Sequence, residues 1–192
     1  TRALAEAPDP GPPIVATDLN QAMLDVPAAV GTSRPVEWRQ ADAMALPFRD
    51  GEFDAVVCQF GAMFFPDRAK AYAEARRVLR PGGVFIFSVW DRIAENEFAD
   101  CVTTALESIF PKDPPRFLAR TPHGYHDVRA IERDLGAAGF AKPPLIATVA
   151  ARSRAQSARI PAMAYCQGTP LRNEIEARDA SRLGESTDVA AR

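Results

Sequence analysis

Cysteine and histidine are both scarce: Cys58, Cys101, Cys166, His123 and His126 are the only ones in 192 residues. Three widely spaced cysteines without a Cys-x-x-Cys pair exclude a disulfide framework. His123 and His126 sit too close for one helical face and would need two further ligands, so no metal is expected. Long apolar runs are missing too. Val84-Phe85-Ile86-Phe87-Ser88-Val89-Trp90 falls far short of the roughly 18 to 20 residues that cross a bilayer, and no charged-then-apolar leader opens the chain. Those readings predict a cytoplasmic protein with no membrane partner. Nor does one sign of charge dominate: 23 Lys+Arg stand against 25 Asp+Glu, a net charge of -2. Without a basic field a nucleic-acid partner is disfavoured and a small-molecule substrate fits better.

What is present is an alternation of strand-length apolar runs with segments of helical period, the pattern of a parallel sheet covered by helices on both faces. Ile14-Val15-Ala16-Thr17, Val36-Glu37-Trp38-Arg39-Gln40, Phe53-Asp54-Ala55-Val56-Val57-Cys58-Gln59 and Val84-Phe85-Ile86-Phe87-Ser88-Val89 read as strands. Asp18 and Asn20 can cap a helix that Pro27 should shorten or kink. Pro66-Asp67 opens another, with Ala71, Ala75, Val78 and Leu79 on one face, closed by Arg80-Pro81-Gly82-Gly83. The rhythm then changes. A helix with Phe98, Cys101, Val102, Ala105 and Ile109 on one face leads into a Pro- and Arg-rich stretch, so residues 92–126 are expected to form a helical insertion, or lid, over the carboxyl ends of the strands. Asp127 caps a helix through Val128, Ile131 and Leu135, Leu145-Ile146-Ala147-Thr148-Val149 returns to strand, and Thr169-Pro170 starts a helical tail. At the amino end, Thr1-Arg2-Ala3-Leu4-Ala5-Glu6-Ala7 reads as the second half of a helix stopped by Pro8-Asp9-Pro10, and Ser186-Thr187-Asp188 as the start of another. The expectation is one incomplete domain over residues 1–192, trimmed at both ends.

In an open α/β sheet, ligands bind beyond the carboxyl ends of the strands. Asp18 follows the first strand, where a carboxylate either accepts from both ribose hydroxyls or caps the next helix. Asp42 follows the second. Its carboxylate can accept from an adenine amine, the Ala43 N–H can donate to a ring nitrogen, and Met44 or Leu46 can cover the ring; alone, the same residues make an ordinary capped turn. Two strand-end acids separated by one βα unit suit an adenosine held across adjacent strands.

The series Ala16-Thr17-Asp18-Leu19-Asn20, Gln40-Ala41-Asp42-Ala43, Leu46-Pro47-Phe48, Phe53-Asp54-Ala55-Val56 and Arg77-Val78-Leu79-Arg80-Pro81-Gly82-Gly83 resembles class I S-adenosylmethionine-dependent methyltransferases. Within them it is most similar to the small-molecule branch typified by ubiquinone/menaquinone biosynthesis enzymes. The resemblance covers about residues 1–90. It implies a Rossmann-like, doubly wound, mainly parallel sheet, with methyl transfer to a small-molecule acceptor. Asp18 would bind the ribose, Leu19 would pack beside the adenine, and Asp42 with Ala43 would read its edge. Cys58-Gln59-Phe60-Gly61 would line the methionine half, with Gln59 as its contact. The family's glycine-rich loop has no counterpart at Thr1, which predicts weak cofactor binding and doubtful activity for the chain alone; its last strand has no counterpart before Arg192 either, which predicts an open sheet edge suited to a second copy or another chain.

Phe60, Trp90, Arg116 and Tyr125 are candidates to wall a substrate pocket, and His123 or His126 could serve as a general base. Asp113-Pro114-Pro115-Arg116-Phe117 resembles an amino-methyltransferase motif but lies in the insertion, away from the strand ending at Gln59, so it is read as coincidence. Two other readings compete. A non-catalytic methyltransferase-like module pairing with another chain explains the open edge. A nicotinamide-dependent dehydrogenase explains Asp18 but leaves Asp42 unused.

Overall fold

The structure is a computed structural model describing residues 1–7 and 11–192. The expected stop at Pro8-Asp9-Pro10 lies outside the described residues. The chain divides into two compact units, one of Thr1–Val56 with Asp67–Ile86, the other of Val57–Pro66 with Phe87–Arg192.

In the first unit, α1 (Arg2–Ala5) precedes β1 (Ile14–Asp18), α2 (Ala22–Val30) and β2 (Val36–Gln40). β1 and β2 pair in parallel, with Ile14 opposite Val36 and Asp18 opposite Gln40. A parallel pair needs a crossover, and α2 supplies it. Asn20 Oδ1 accepts from the Ala22 N–H at 3.0 Å. Pro27 lies inside α2 without ending it. The carbonyl it leaves without a donor belongs to Met23, whose residue is 62% exposed, so water can satisfy it.

β3 (Phe53–Gln59) pairs with β4 (Leu79–Ser88) across α3 (Arg68–Val78). Asp67 starts α3 as read from sequence, its carboxylate accepting from the Lys70 N–H at 2.9 Å. Ala71, Tyr72, Ala75 and Val78 are its buried face. Gly83 lies against the Asp54 carbonyl, and the Phe60 N–H bonds the Ser88 carbonyl at 3.1 Å. Both strands therefore ascend together, which makes this pair parallel as well. β4 begins at Leu79, five residues before the predicted Val84, with Gly82 in the left-handed region at φ 81°.

In the second unit α4 (Glu97–Ile109), α5 (Phe117–Arg120), α6 (Val128–Ala137), α7 (Arg159–Gly168), α8 (Leu171–Asp179) and α9 (Leu183–Ala190) follow. Its core joins Val102, Leu106 and Ile109 of α4 to Leu118, Cys166, Leu171 and Ile175. The buried stripe of α4 is Ala99, Val102, Thr103, Leu106 and Ile109. Cys101, read as inward, is exposed, because the larger apolar side chains Val102, Leu106 and Ile109, packed in one core with Leu171 and Ile175 of α8, set the inward direction of α4 and Cys101 contributes little apolar area.

The strand expected at residues 145–149 does not form. Leu145 is 101% and Val149 84% exposed, and among the described residues 141–156 make no backbone hydrogen bond. Strand propensity acts through cross-strand packing, and no neighbouring edge is offered here. The sheet is thus present as two parallel pairs, a smaller version of the doubly wound α/β fold.

Candidate functional site

In the first unit, Asp18 ends β1 and is half-buried. Its Oδ1 accepts from the Asn20 N–H at 2.8 Å, an Asx-type turn in which Oδ2 makes no hydrogen bond among the described residues. The side chain of Leu19 is 68% exposed, while its carbonyl accepts from Gln40 Nε2 at 2.8 Å. An apolar side chain is thereby held in solvent beside a carboxylate. Two residues beyond β2, Asp42 repeats the arrangement: Oδ1 accepts from the Met44 N–H at 2.9 Å, and the Ala45 N–H donates to the Asp42 carbonyl at 3.0 Å. Ala43 lies within this half-buried turn. The Ala41 N–H donates to the Asp18 carbonyl at 3.0 Å, so the parallel register continues past the strand ends and places the two acid-bearing turns side by side.

In the second unit, Gln59 is exposed at the end of β3 and Phe60 follows it with φ 52°. A bulky residue in that region costs roughly 1–2 kcal/mol. The conformation is held by the Phe60 N–H, which bonds both the carbonyl of Ser88 at 3.1 Å and its Oγ at 3.2 Å. It lays the Phe60 ring on the Trp90 indole, with centroids 4.1 Å apart and planes 10° from parallel. Cys58 lies beneath the same turn: a Cβ on Gly61 would come within 2.9 Å of its Sγ. Burial pushes the Cys58 thiol up, against backbone N–H bonds from Gly61 and Ala62.

His123 joins this cluster. Its ring centroid is 6.2 Å from that of Trp90, and its Nδ1 lies 2.9 Å from the Asp91 carbonyl. A carbonyl only accepts, so neutral His123 carries its proton on Nδ1 and presents Nε2 as the acceptor. Burial pushes its imidazole below the ordinary range; the Asp91 bond opposes this and His126 adds to it. The segment 92–126 thus reaches the carboxyl ends of β3 and β4 through His123.

The other candidates are engaged elsewhere in the second unit. His126 is exposed, its Nδ1 bonded to the His123 carbonyl at 2.9 Å. Tyr125 is 4% exposed and donates to Asp134 Oδ2 at 2.7 Å, which makes it an anchor of α6. Arg116 pairs with Glu107 at 3.1 Å on the surface. Sequence reasoning passed over the left-handed Phe60, for which no residue-type signal exists, and the Ser88 acceptors that hold it. Among the described residues no three His, Cys, Asp or Glu side chains converge on a metal position. Among the described residues no helix is long and apolar enough to cross a membrane.

Residues 1–87 match the family described as a methyltransferase domain. Over these residues the chain is similar to methyltransferases. The match contains β1, β2 and both acid-bearing turns. The chain is 31% identical over 142 residues to a demethylmenaquinone methyltransferase of Thermus thermophilus, covering 68% of this chain and 64% of that protein. It is 41% identical over 91 residues to a ubiquinone/menaquinone biosynthesis C-methyltransferase of Acidiphilium cryptum, covering 43% of this chain and 35% of that protein. Among solved structures, a chain of the complex between the Haloferax volcanii Trm112 methyltransferase activator and a methyltransferase superposes with a TM-score of 0.52 at 18% identity, over 72% of this chain and 54% of that one. At that identity the likeness is one of fold. The chain spans less than two thirds of the length of these relatives.

Proposed function

We propose that the protein transfers a methyl group from S-adenosylmethionine to a small-molecule acceptor. The observation that carries this reading is the adjacency of the Asp18 and Asp42 turns, tied by the Ala41–Asp18 backbone bond at 3.0 Å. Each carboxylate gives one oxygen to its own turn and keeps the other for a ligand. Asp18 would accept from the ribose hydroxyls, Leu19 would lie against the adenine face, Asp42 would accept from the exocyclic amine, and the Ala43 N–H would donate to a ring nitrogen.

The cofactor supplies an electrophilic methyl on a sulfonium that leaves as a neutral thioether, so the protein's task is alignment and exclusion of water. The Phe60–Trp90 stack offers an apolar wall for the acceptor. Where the acceptor bears an ionisable proton, His123 Nε2 would take it. The near-balance of charge supports a small molecule over nucleic acid, and the absence of a membrane-length helix among the described residues supports a cytoplasmic setting. Self-association would bury Val84 and Ile86 of β4, which stand 52% and 54% exposed.

Incubation of the protein with methyl-labelled S-adenosylmethionine and a metabolite extract tests the proposal. Label is expected in the small-molecule fraction; label confined to macromolecules would overturn it.

A further inference from the structure

Behind the Asp42 turn, α3 carries two charged side chains three residues apart, Glu74 and Arg77. Arg77 Nε donates to Glu74 Oε1 at 2.7 Å and Nη2 to Glu74 Oε2 at 2.8 Å. Nη2 also donates to the Leu46 carbonyl at 2.9 Å. Nη1 donates to the Phe48 carbonyl at 2.7 Å and to Asp50 Oδ1 at 2.8 Å. A guanidinium has five N–H donors, and here each finds an acceptor. Glu74 Oε2 in turn accepts from the Leu46 N–H at 2.8 Å, and the Gly51 N–H donates to the Arg77 carbonyl at 2.9 Å.

The segment that follows Asp42 is therefore gripped at the N–H and carbonyl of Leu46 and again at Phe48, with Pro47 between them unable to donate. The side chains of Arg77 and Glu74 are only 29% and 20% exposed, so the pair is less screened than a surface ion pair. The hydrogen bond from Arg77 keeps the Glu74 carboxyl below the ordinary range. These bonds converge on the segment that directly follows the turn presenting Asp42 and Ala43.

We propose that Arg77, seated on Glu74, is a positioning residue for S-adenosylmethionine: by clamping Leu46 and Phe48 it fixes the Asp42–Ala43 turn in the geometry that reads the adenine. This rests on the reading of Asp42 and Ala43 as adenine contacts. Arg77 touches no cofactor atom in this scheme. Lysine cannot replace it, having three donors on one point charge in place of a planar fork.

The test is titration of S-adenosylmethionine into the intact protein and into Arg77→Lys, Glu74→Gln, Asp42→Asn and the Arg77→Lys/Asp42→Asn double variant, with urea midpoints and amide exchange alongside. Arg77→Lys is expected to raise the Kd about tenfold, the loss of roughly one well-made charged hydrogen bond, and to speed exchange at Met44 and Leu46. The double variant should be little weaker than the worse single one, since both act through one turn. An Arg77→Lys protein with lower urea midpoint but unchanged Kd would make Arg77 a strut of the fold and overturn the proposal. Multiplying effects in the double variant would overturn it too. If Asp42→Asn leaves the Kd unchanged, the adenine reading itself fails. Should Arg77→Lys not fold, Glu74→Gln decides: a Kd raised about threefold supports the clamp, and an unchanged one overturns it.

Discussion

The N–H of Ala41 donates to the carbonyl of Asp18 across 3.0 Å, one step beyond the last register pair of β1 and β2. That bond turns two acids 24 residues apart in sequence into neighbours with parallel tasks. Each spends Oδ1 on the N–H two residues ahead, Asn20 or Met44. A substitution that keeps the turn while altering the free oxygen therefore separates binding from folding.

Asp42→Asn is such a substitution. The amide oxygen can still accept from the Met44 N–H, so the urea midpoint should shift by no more than about 0.5 kcal/mol in stability. The free carboxylate oxygen becomes an NH₂, a donor facing a donor, and S-adenosylmethionine should bind about tenfold more weakly or worse. Calorimetry beside a urea titration checks both halves. Equal losses in stability and affinity would mean that the turn itself had moved.

The thiols should react in a fixed order. Cys101 is exposed. Burial pushes Cys58 up, and Cys166, 0% exposed, is pushed up to about 11 by burial against a Thr187 hydrogen bond. Only thiolate attacks a disulfide reagent, so one rapid equivalent is expected at neutral pH, half-buried Cys58 following more slowly and Cys166 only on unfolding. Rapid release of more than one equivalent would contradict the slower reaction expected of half-buried Cys58.

His123 gives the protein an acid-side weakness. Its folded pKa is depressed by burial from an unfolded value near 6.5, so the unfolded state binds the proton first. The stability this group contributes is complete above about pH 6.5 and is lost as pH falls from there through its folded pKa. His123→Asn retains a donor for the Asp91 carbonyl and should remove this part of the acid-side decline in urea midpoint. Superimposable pH profiles for the two proteins would show that His123 does not titrate differently on folding.

The repeating part of the fold was legible in the chain. Apolar runs fixed β1 to β3 closely, and Asp67, Asp127 and Thr169 start helices where their side chains can accept an N–H. Elements that depend on distant partners were less legible. Residues 145–149 have strand composition but no edge to join, and α7 was not read at all because its buried Ala162 and Cys166 are small residues in a polar-looking stretch. The acids at strand ends were visible because α/β topology dictates where ligands lie. Arg77 was visible only as a motif letter: its five acceptors are mostly backbone carbonyls and carboxylates that only the folded loop brings together.

Asp18→Ala tests the central claim most directly. The carboxylate would make charge-assisted bonds to ribose hydroxyls, each worth about 1.5–3 kcal/mol, whereas loss of its turn bond to Asn20 should cost about 1 kcal/mol of stability. S-adenosylmethionine titrated into the variant should therefore bind at least tenfold more weakly, with only a small fall in urea midpoint. Unchanged affinity beside a clearly lowered midpoint would make Asp18 a turn cap and remove the first anchor of the adenosine site.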